Sequence, residues 1–112
     1  MRFLVIGEVF LDENITGLSD RLSPEAPVPV LYNSTSKKHL GGAANVAKNI
    51  SSLGGDVSLL TLIGNDKAGE IIKLMLQEHN VCLLQTDIYS DVTIRKIRFI
   101  ANQQHLLRHD IE

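Results

Sequence analysis

Short, continuous apolar runs alternate along this chain with stretches whose apolar positions recur at helical spacing. Phe3-Leu4-Val5-Ile6 is the first run, and its closure at Gly7 predicts a buried strand of a parallel sheet. The chain then opens into a predicted loop carrying Glu8 and Asp12. Residues 15–32 read as irregular, with Pro24, Pro27 and Pro29 close together. Proline donates nothing to a ladder, so any strand here lies at an edge. Val28, Val30 and Tyr32 alternate with Pro29 and Leu31, which predicts a short edge strand after Pro27. From Ala43 to Leu53 the period turns helical: Val46, Ala47, Ile50 and Leu53 form one stripe, and Asn45 and Asn49 lie on another face. Gly54-Gly55 supplies the stop.

Val57 to Ile63 predicts a second buried strand. Asp66 suits the N-cap of a second helix, whose stripe is Ala68, Ile71, Ile72, Met75 and Leu76 and whose end is near Asn80. Val81 to Leu84 predicts a third strand. This order implies parallel pairing through right-handed crossovers, an α/β fold. Val92 to Ala101 and His105 to Ile111 then flank Asn102-Gln103-Gln104, which predicts a β-hairpin with a three-residue turn.

Composition narrows the function. At 112 residues the chain is one domain at most, and its 44% hydrophobic and 21% charged residues suit a folded core. A net charge of −2 provides no electrostatic footprint for nucleic acid. No run approaches the roughly 18 apolar residues of a membrane span, and Glu8 and Asp12 follow the first apolar run too closely for a signal peptide. The expectation is therefore a cytoplasmic protein without nucleic-acid or membrane partners. Cys82 is the single cysteine and reads as a small core hydrophobe. His39, His79, His105 and His109 form no cluster with zinc spacing, so no metal site is expected.

The densest chemistry lies in Leu40-Gly41-Gly42-Ala43-Ala44-Asn45. Gly41-Gly42 lets the backbone approach a bound molecule closely. The N–H groups at the helix start then face hydroxyls or anions, and Asn45 both donates and accepts. Asp12 lies beyond the first strand, where ligands of open α/β sheets bind, and a carboxylate there can accept from two hydroxyls. Gly64 and Asp66 suit a tight strand-to-helix turn and its cap.

In this order and spacing, Gly7-Glu8-Val9-Phe10-Leu11-Asp12, Arg21-Leu22-Ser23-Pro24-Glu25-Ala26-Pro27-Val28-Pro29-Val30, the Gly-Gly-Ala-Ala-Asn segment, Gly64-Asn65-Asp66-Lys67-Ala68-Gly69, Asn102-Gln103-Gln104 and Leu106-Leu107-Arg108 resemble the N-terminal part of a ribokinase-like (phosphofructokinase-B-type) carbohydrate kinase. The Ser-Pro-Glu-Ala-Pro-Val-Pro run and Asn-Gln-Gln resemble the branch that phosphorylates a heptose 7-phosphate. The resemblance covers essentially the whole chain. It implies that Asp12, Gly41, Gly42 and Asn45 hold the sugar, that the proline-rich block belongs to a β-strand lid, and that Gln104 and Arg108 lie near the pocket. Glu8 departs from an aspartate common in that branch and changes its reach. A substrate that already carries a phosphate needs a cation. Lys96 and Arg98 share one side of a strand and can serve it, or form a solvated face.

The family also implies ATP and Mg²⁺, and a role in cytosolic lipopolysaccharide precursor synthesis. Neither a P-loop nor the family's Gly-Ala-Gly-Asp catalytic segment occurs in the sequence. The expectation is the sugar-binding half, residues 1–112, without the nucleotide-binding and catalytic-base half. It would act with a complementary kinase half or as a homo-oligomer, and alone it would be inactive. The alternatives are a non-catalytic sugar-phosphate-binding or dimerisation module and a piece of another ribokinase-like sugar kinase.

Overall fold

The computed structural model describes residues 1–84 and 92–112. Two sheets and two helices make up these residues. The first sheet is all parallel, in the order β1 (Arg2–Ile6), β4 (Asp56–Leu60), β5 (Cys82–Leu84). Helices α1 (Ala43–Ser52) and α2 (Lys67–Glu78) supply the crossovers, as the alternating pattern predicts. Their apolar faces meet Val57 and Leu59 of β4 in the core. The second sheet is mixed, in the order β3, β2, β6, β7, from β2 (Val9–Leu18), β3 (Tyr32–Gly42), β6 (Ile94–Ala101) and β7 (Gln104–Ile111). In it β2 runs antiparallel to β3 and parallel to β6.

Several elements differ from their sequence reading. β1 is a parallel strand but an exposed one, with Leu4 57% and Ile6 68% accessible. A continuous apolar run is the same signature in a central strand and at an edge, and among the described residues β1 has β4 as its one partner. Asp12 lies inside β2, not in a loop. β2 has an alternating pattern in which Val9, Leu11 and Glu13 face inward, and the charge of Glu13 masks it. β3 is a long strand where no strand was expected. It is an edge strand exposed on both faces over most of its length, so it has no apolar alternation to read. After Pro27 there is an isolated bridge between Leu22 and Pro29 in place of a strand.

The buried stripe of α1 is Ala44 and Ala47, with Ala43 and Ile50 partly buried, while Val46 and Leu53 are exposed. The small alanines let α1 lie close to the sheet. Its end is closed by Gly54 N–H donating to Ser51 and Gly55 N–H to Ile50, the double bond expected of a glycine stop. The α2 stripe matches its reading. Cys82 is exposed, because β5 turns its neighbours Val81 and Leu83 inward instead. The hairpin turn has two residues, Asn102 and Gln103, both at positive φ; Gln104 already pairs with Ala101 in β7.

One junction ties the two sheets together. Asp66, the N-cap of α2, accepts from Gly69 N–H at 2.8 Å. Its carboxylate also accepts from the Thr93 hydroxyl at 2.6 Å and the Thr93 N–H at 2.9 Å, immediately before β6 begins. Thr93 is 3% accessible, and its hydroxyl accepts from Gly64 N–H at 3.0 Å. A Cβ on Gly64 would lie 2.5 Å from the Thr93 nitrogen, so this approach requires glycine. Further along, Arg95 donates twice to Glu13 Oε1, at 3.0 and 2.7 Å, joining β6 to β2 on the inward face. Glu13 is 5% accessible and is held there by this pair.

Burial alone raises the Asp66 carboxyl, but its bonds from Thr93 and Gly69 and the charge of Arg95 outweigh it and hold it below the ordinary 3.8. Asp66→Ala strands these donors and is expected to cost about 1–3 kcal/mol in chemical denaturation. A group lowered in the folded chain contributes fully above its ordinary value, and the contribution fades as pH falls through the lowered one. The deficit of Asp66→Ala is therefore expected to narrow below about pH 4. A deficit independent of pH would contradict this role.

Candidate functional site

The outward face of the second sheet gathers most of the chemistry singled out in the sequence. Paired residues of neighbouring strands share a face. Register therefore sets Gly41, Phe10 and Ile94 in one row, His39, Asp12, Lys96 and Asp110 in the next, and Lys37, Asn14, Arg98 and Arg108 in a third. Arg95 faces the other side, as its position in the strand predicts.

Contacts between neighbouring rows confirm the shared face. Arg98 Nη1 donates to Asp12 Oδ1 at 3.0 Å, with about a quarter of each side chain accessible. The Lys96 ammonium stands 4.0 Å from the centre of the Phe10 ring. Arg108 donates to Asp110 Oδ2 at 2.9 Å. Two acceptors on this face are buried without a hydrogen-bond partner, Asn14 Oδ1 and Asp110 Oδ1. A buried acceptor without a donor is costly to the fold.

Gly41 and Gly42 bring β3 into this face and on into α1. A Cβ on Gly41 would lie 2.2 Å from the Phe10 ring and 2.9 Å from Asp12 Oδ2. The absent side chain leaves Asp12 its second oxygen and Phe10 its place under Lys96. Gly42 is the N-cap of α1 at φ +64 and offers no side-chain cap. The first N–H of the helix, on Ala43, donates to the Glu8 carbonyl at 2.9 Å. Asn45 follows in the first turn, exposed.

The remaining candidates sit elsewhere. Gln104 is at the hairpin tip, opposite Ala101. That is five residues along β6 from Lys96, roughly 16 Å, so the structure does not bring it to the Asp12 cluster. Glu8 lies off the sheet face, on a 790 Å³ cavity at the carboxyl ends of β1 and β4. Asn14, Phe10 and Asp110 were missed in the sequence. Their signal is a period of two through Phe10, Asp12 and Asn14, visible once Val9–Leu18 is read as a strand.

The cavity beside Glu8 does not fit a nucleoside triphosphate. The cavity has apolar walls, including Ile6, Val9, Leu60, Leu62 and Ile94, and its charged groups are Glu8 and Glu112, which repel a triphosphate. Among the described residues no three His, Cys, Asp or Glu side chains are grouped to hold a metal ion, and no helix is long and apolar enough to cross a membrane.

Comparison with known proteins places this geometry. Residues 2–105 match the family described as "pfkB family carbohydrate kinase". The chain is 46% identical over 114 residues to a D-beta-D-heptose 7-phosphate kinase of Bordetella bronchiseptica, covering 99% of this chain and 36% of that protein. It is 43% identical over 111 residues to the bifunctional protein HldE of Actinobacillus succinogenes, covering 99% of this chain and 23% of that one. The chain thus spans about a third or less of the curated relatives it matches. Among solved structures, a carbohydrate kinase from Agrobacterium tumefaciens superposes with a TM-score of 0.78 at 19% identity, over 98% of this chain and 35% of that chain. A ribokinase from Thermotoga maritima superposes with a TM-score of 0.64 at 17% identity, over 96% and 34%. These two establish the ribokinase-like fold.

Gly41→Ala is expected to destabilise the chain by about 1–3 kcal/mol in denaturant titration, because the new methyl must displace the Phe10 ring. The displaced ring also loses its Lys96 contact, so the Phe10 ring signals shift in NMR. Wild-type stability with unmoved Phe10 signals would contradict the packing described.

Proposed function

This chain belongs to the pfkB family of carbohydrate kinases, and on that premise we propose that its outward sheet face recognises a sugar phosphate, a heptose 7-phosphate foremost, as the acceptor of a phosphoryl group. The observation that carries this reading is the grouping of Asp12 with the cations Lys96, Arg98 and Arg108 on one face. Asp12 accepts from sugar hydroxyls. Asn45 adds a donor and an acceptor from the start of α1, and Gly41 and Gly42 let the sugar approach the backbone. Lys96, Arg98 and Arg108 supply cations for the phosphate already on the substrate. Gln104, at the tip, stays outside this first set of contacts.

ATP with Mg²⁺, when bound, supplies the transferred group and offsets its charge. In this proposal the nucleotide pocket and catalytic base come from a complementary kinase half. The open edge of β1, with Leu4 and Ile6 exposed, supports such a partner, since an unpaired apolar edge invites further strands. A second copy of this chain is the other occupant the edge admits. The setting proposed is the cytoplasm, in the synthesis of lipopolysaccharide precursors. A non-catalytic sugar-phosphate-binding role rests on the same face and differs only in turnover.

Titration of the labelled chain with a heptose 7-phosphate or hexose phosphate is expected to shift the NMR signals of Gly41, Gly42, Asn45 and the Arg98 side chain. Asp12→Asn should weaken the binding about tenfold or more, the scale of losing hydrogen bonds to a charged acceptor. Unmoved signals at millimolar ligand on the folded chain would refute the reading. With ATP, Mg²⁺ and the same sugar phosphate, the 112-residue chain alone should release no ADP. Turnover abolished by Asn45→Ala would show that no complementary half is needed.

A further inference from the structure

The Asp12–Arg98 pair sets a problem for any ligand of the polar face. Asp12 serves hydroxyls best with both oxygens, yet Oδ1 already accepts from Arg98 at 3.0 Å. That bond leaves Oδ1 one further acceptor site, beside the guanidinium, while Oδ2, beside the gap left by Gly41, keeps both of its own. Arg98 in turn makes a single bond to Asp12, through Nη1, although a guanidinium can bind an anion through two parallel bonds. The neighbouring cations are held differently. Lys96 rests over Phe10, and Arg108 is bonded to Asp110. Arg98 is therefore the cation whose departure alters the sugar-binding carboxylate directly.

We propose that Arg98 is a specificity-determining latch that selects phosphorylated over neutral sugars by holding Asp12 until a phosphate takes its place. This rests on the proposed sugar-phosphate site and adds how it discriminates. A phosphate dianion offers Arg98 two oxygens and a larger charge than Asp12 does. Arg98 swings to it, and both oxygens of Asp12 are released to the sugar hydroxyls. A neutral sugar has no group to exchange for Arg98 and must compete with it for Asp12. Phosphate recognition and hydroxyl recognition are then coupled, and the coupling is reciprocal. Side-chain accessibilities of 27% for Arg98 and 23% for Asp12 leave both groups room to move and a ligand room to enter.

Coupling is measurable in the wild-type chain, with inorganic phosphate as the probe and a neutral heptose or mannose as the sugar. At constant ionic strength, saturating phosphate is expected to tighten the neutral sugar about two- to fivefold, the scale of a partly exposed ion pair no longer competing. Arg98→Ala should reproduce this without phosphate: it binds the neutral sugar about two- to fivefold more tightly than wild type and the sugar phosphate several-fold more weakly. Arg98→Met, close in length and uncharged, gives the same pair of opposite changes where alanine disturbs folding. If phosphate leaves the neutral sugar's affinity unchanged or lowers it, the latch is overturned while the site stands. If Arg98→Ala weakens both ligands alike, Arg98 is a plain contact and the latch is again overturned. If the folded wild-type chain binds neither sugar nor sugar phosphate, the proposed site fails, and the latch with it.

Discussion

The parallel pairing of β2 with β6 is the constraint on which the rest of the molecule depends. The two strands are far apart in sequence, yet their register sets Asp12 beside Lys96 and Asn14 beside Arg98. A slip of one residue would turn every one of these side chains to the other face. The Asp66–Thr93 junction fixes where β6 starts, and Glu13–Arg95 repeats the fixing two residues later. Carboxylates on the inward face thus set the register, and a carboxylate on the outward face uses it. Gly64, Asp66 and Gly69 read as a turn and a helix cap in the sequence. In the fold they also bind the helical layer to the strand that carries the site's cations.

The outward face carries more cations than carboxylates, but most of those cations are already engaged. Lys96, Arg98 and Arg108 stand against Asp12 and Asp110, each cation near a carboxylate or a ring. A face of unopposed cations would hold any anion. Here Lys96, Arg98 and Arg108 each have an internal contact to give up, so a ligand gains most there if it offers both an anion and hydroxyl donors. The acceptors Asn14 Oδ1 and Asp110 Oδ1 of this face are buried without partners, a cost the fold carries. The pfkB family match accords with this chemistry.

The α/β half of the fold and the β6–β7 hairpin were legible in the sequence, and β2 and β3 were not. Val57, Leu59, Ile72 and Leu76 are buried on one face of each element, so their periods stand out. β3 lies at an edge with both faces wet, and Asn33 to His39 provide no pattern. β2 has a clean alternation, but Glu13 occupies an inward position, where its charge is tolerated only because Arg95 lies across the strand boundary. That compensation joins residues 82 positions apart and has no local signature. The same limit applies to the site. Gly41, Gly42 and Asn45 lie within one short segment and are read together from the sequence; Asn14 and Asp110 come onto the same face as Gly41 only through register. The stripe of α1 shares Ala47 and Ile50 with its reading, but Ala43 and Ala44 take the place of Val46 and Leu53, since alanines carry little hydrophobic signal.

The central claim is that the outward face of the second sheet, and not the apolar cavity at the ends of β1 and β4, receives the sugar phosphate. A crystal structure of the chain with a heptose 7-phosphate tests it most directly. The account predicts ligand density over Phe10, Asp12 and Asn14, with hydroxyls on Asp12 and the phosphate on a guanidinium that has left Asp12. Density confined to the cavity lined by Ile6, Glu8, Leu60 and Thr61, with the Asp12–Arg98 pair intact, would contradict it.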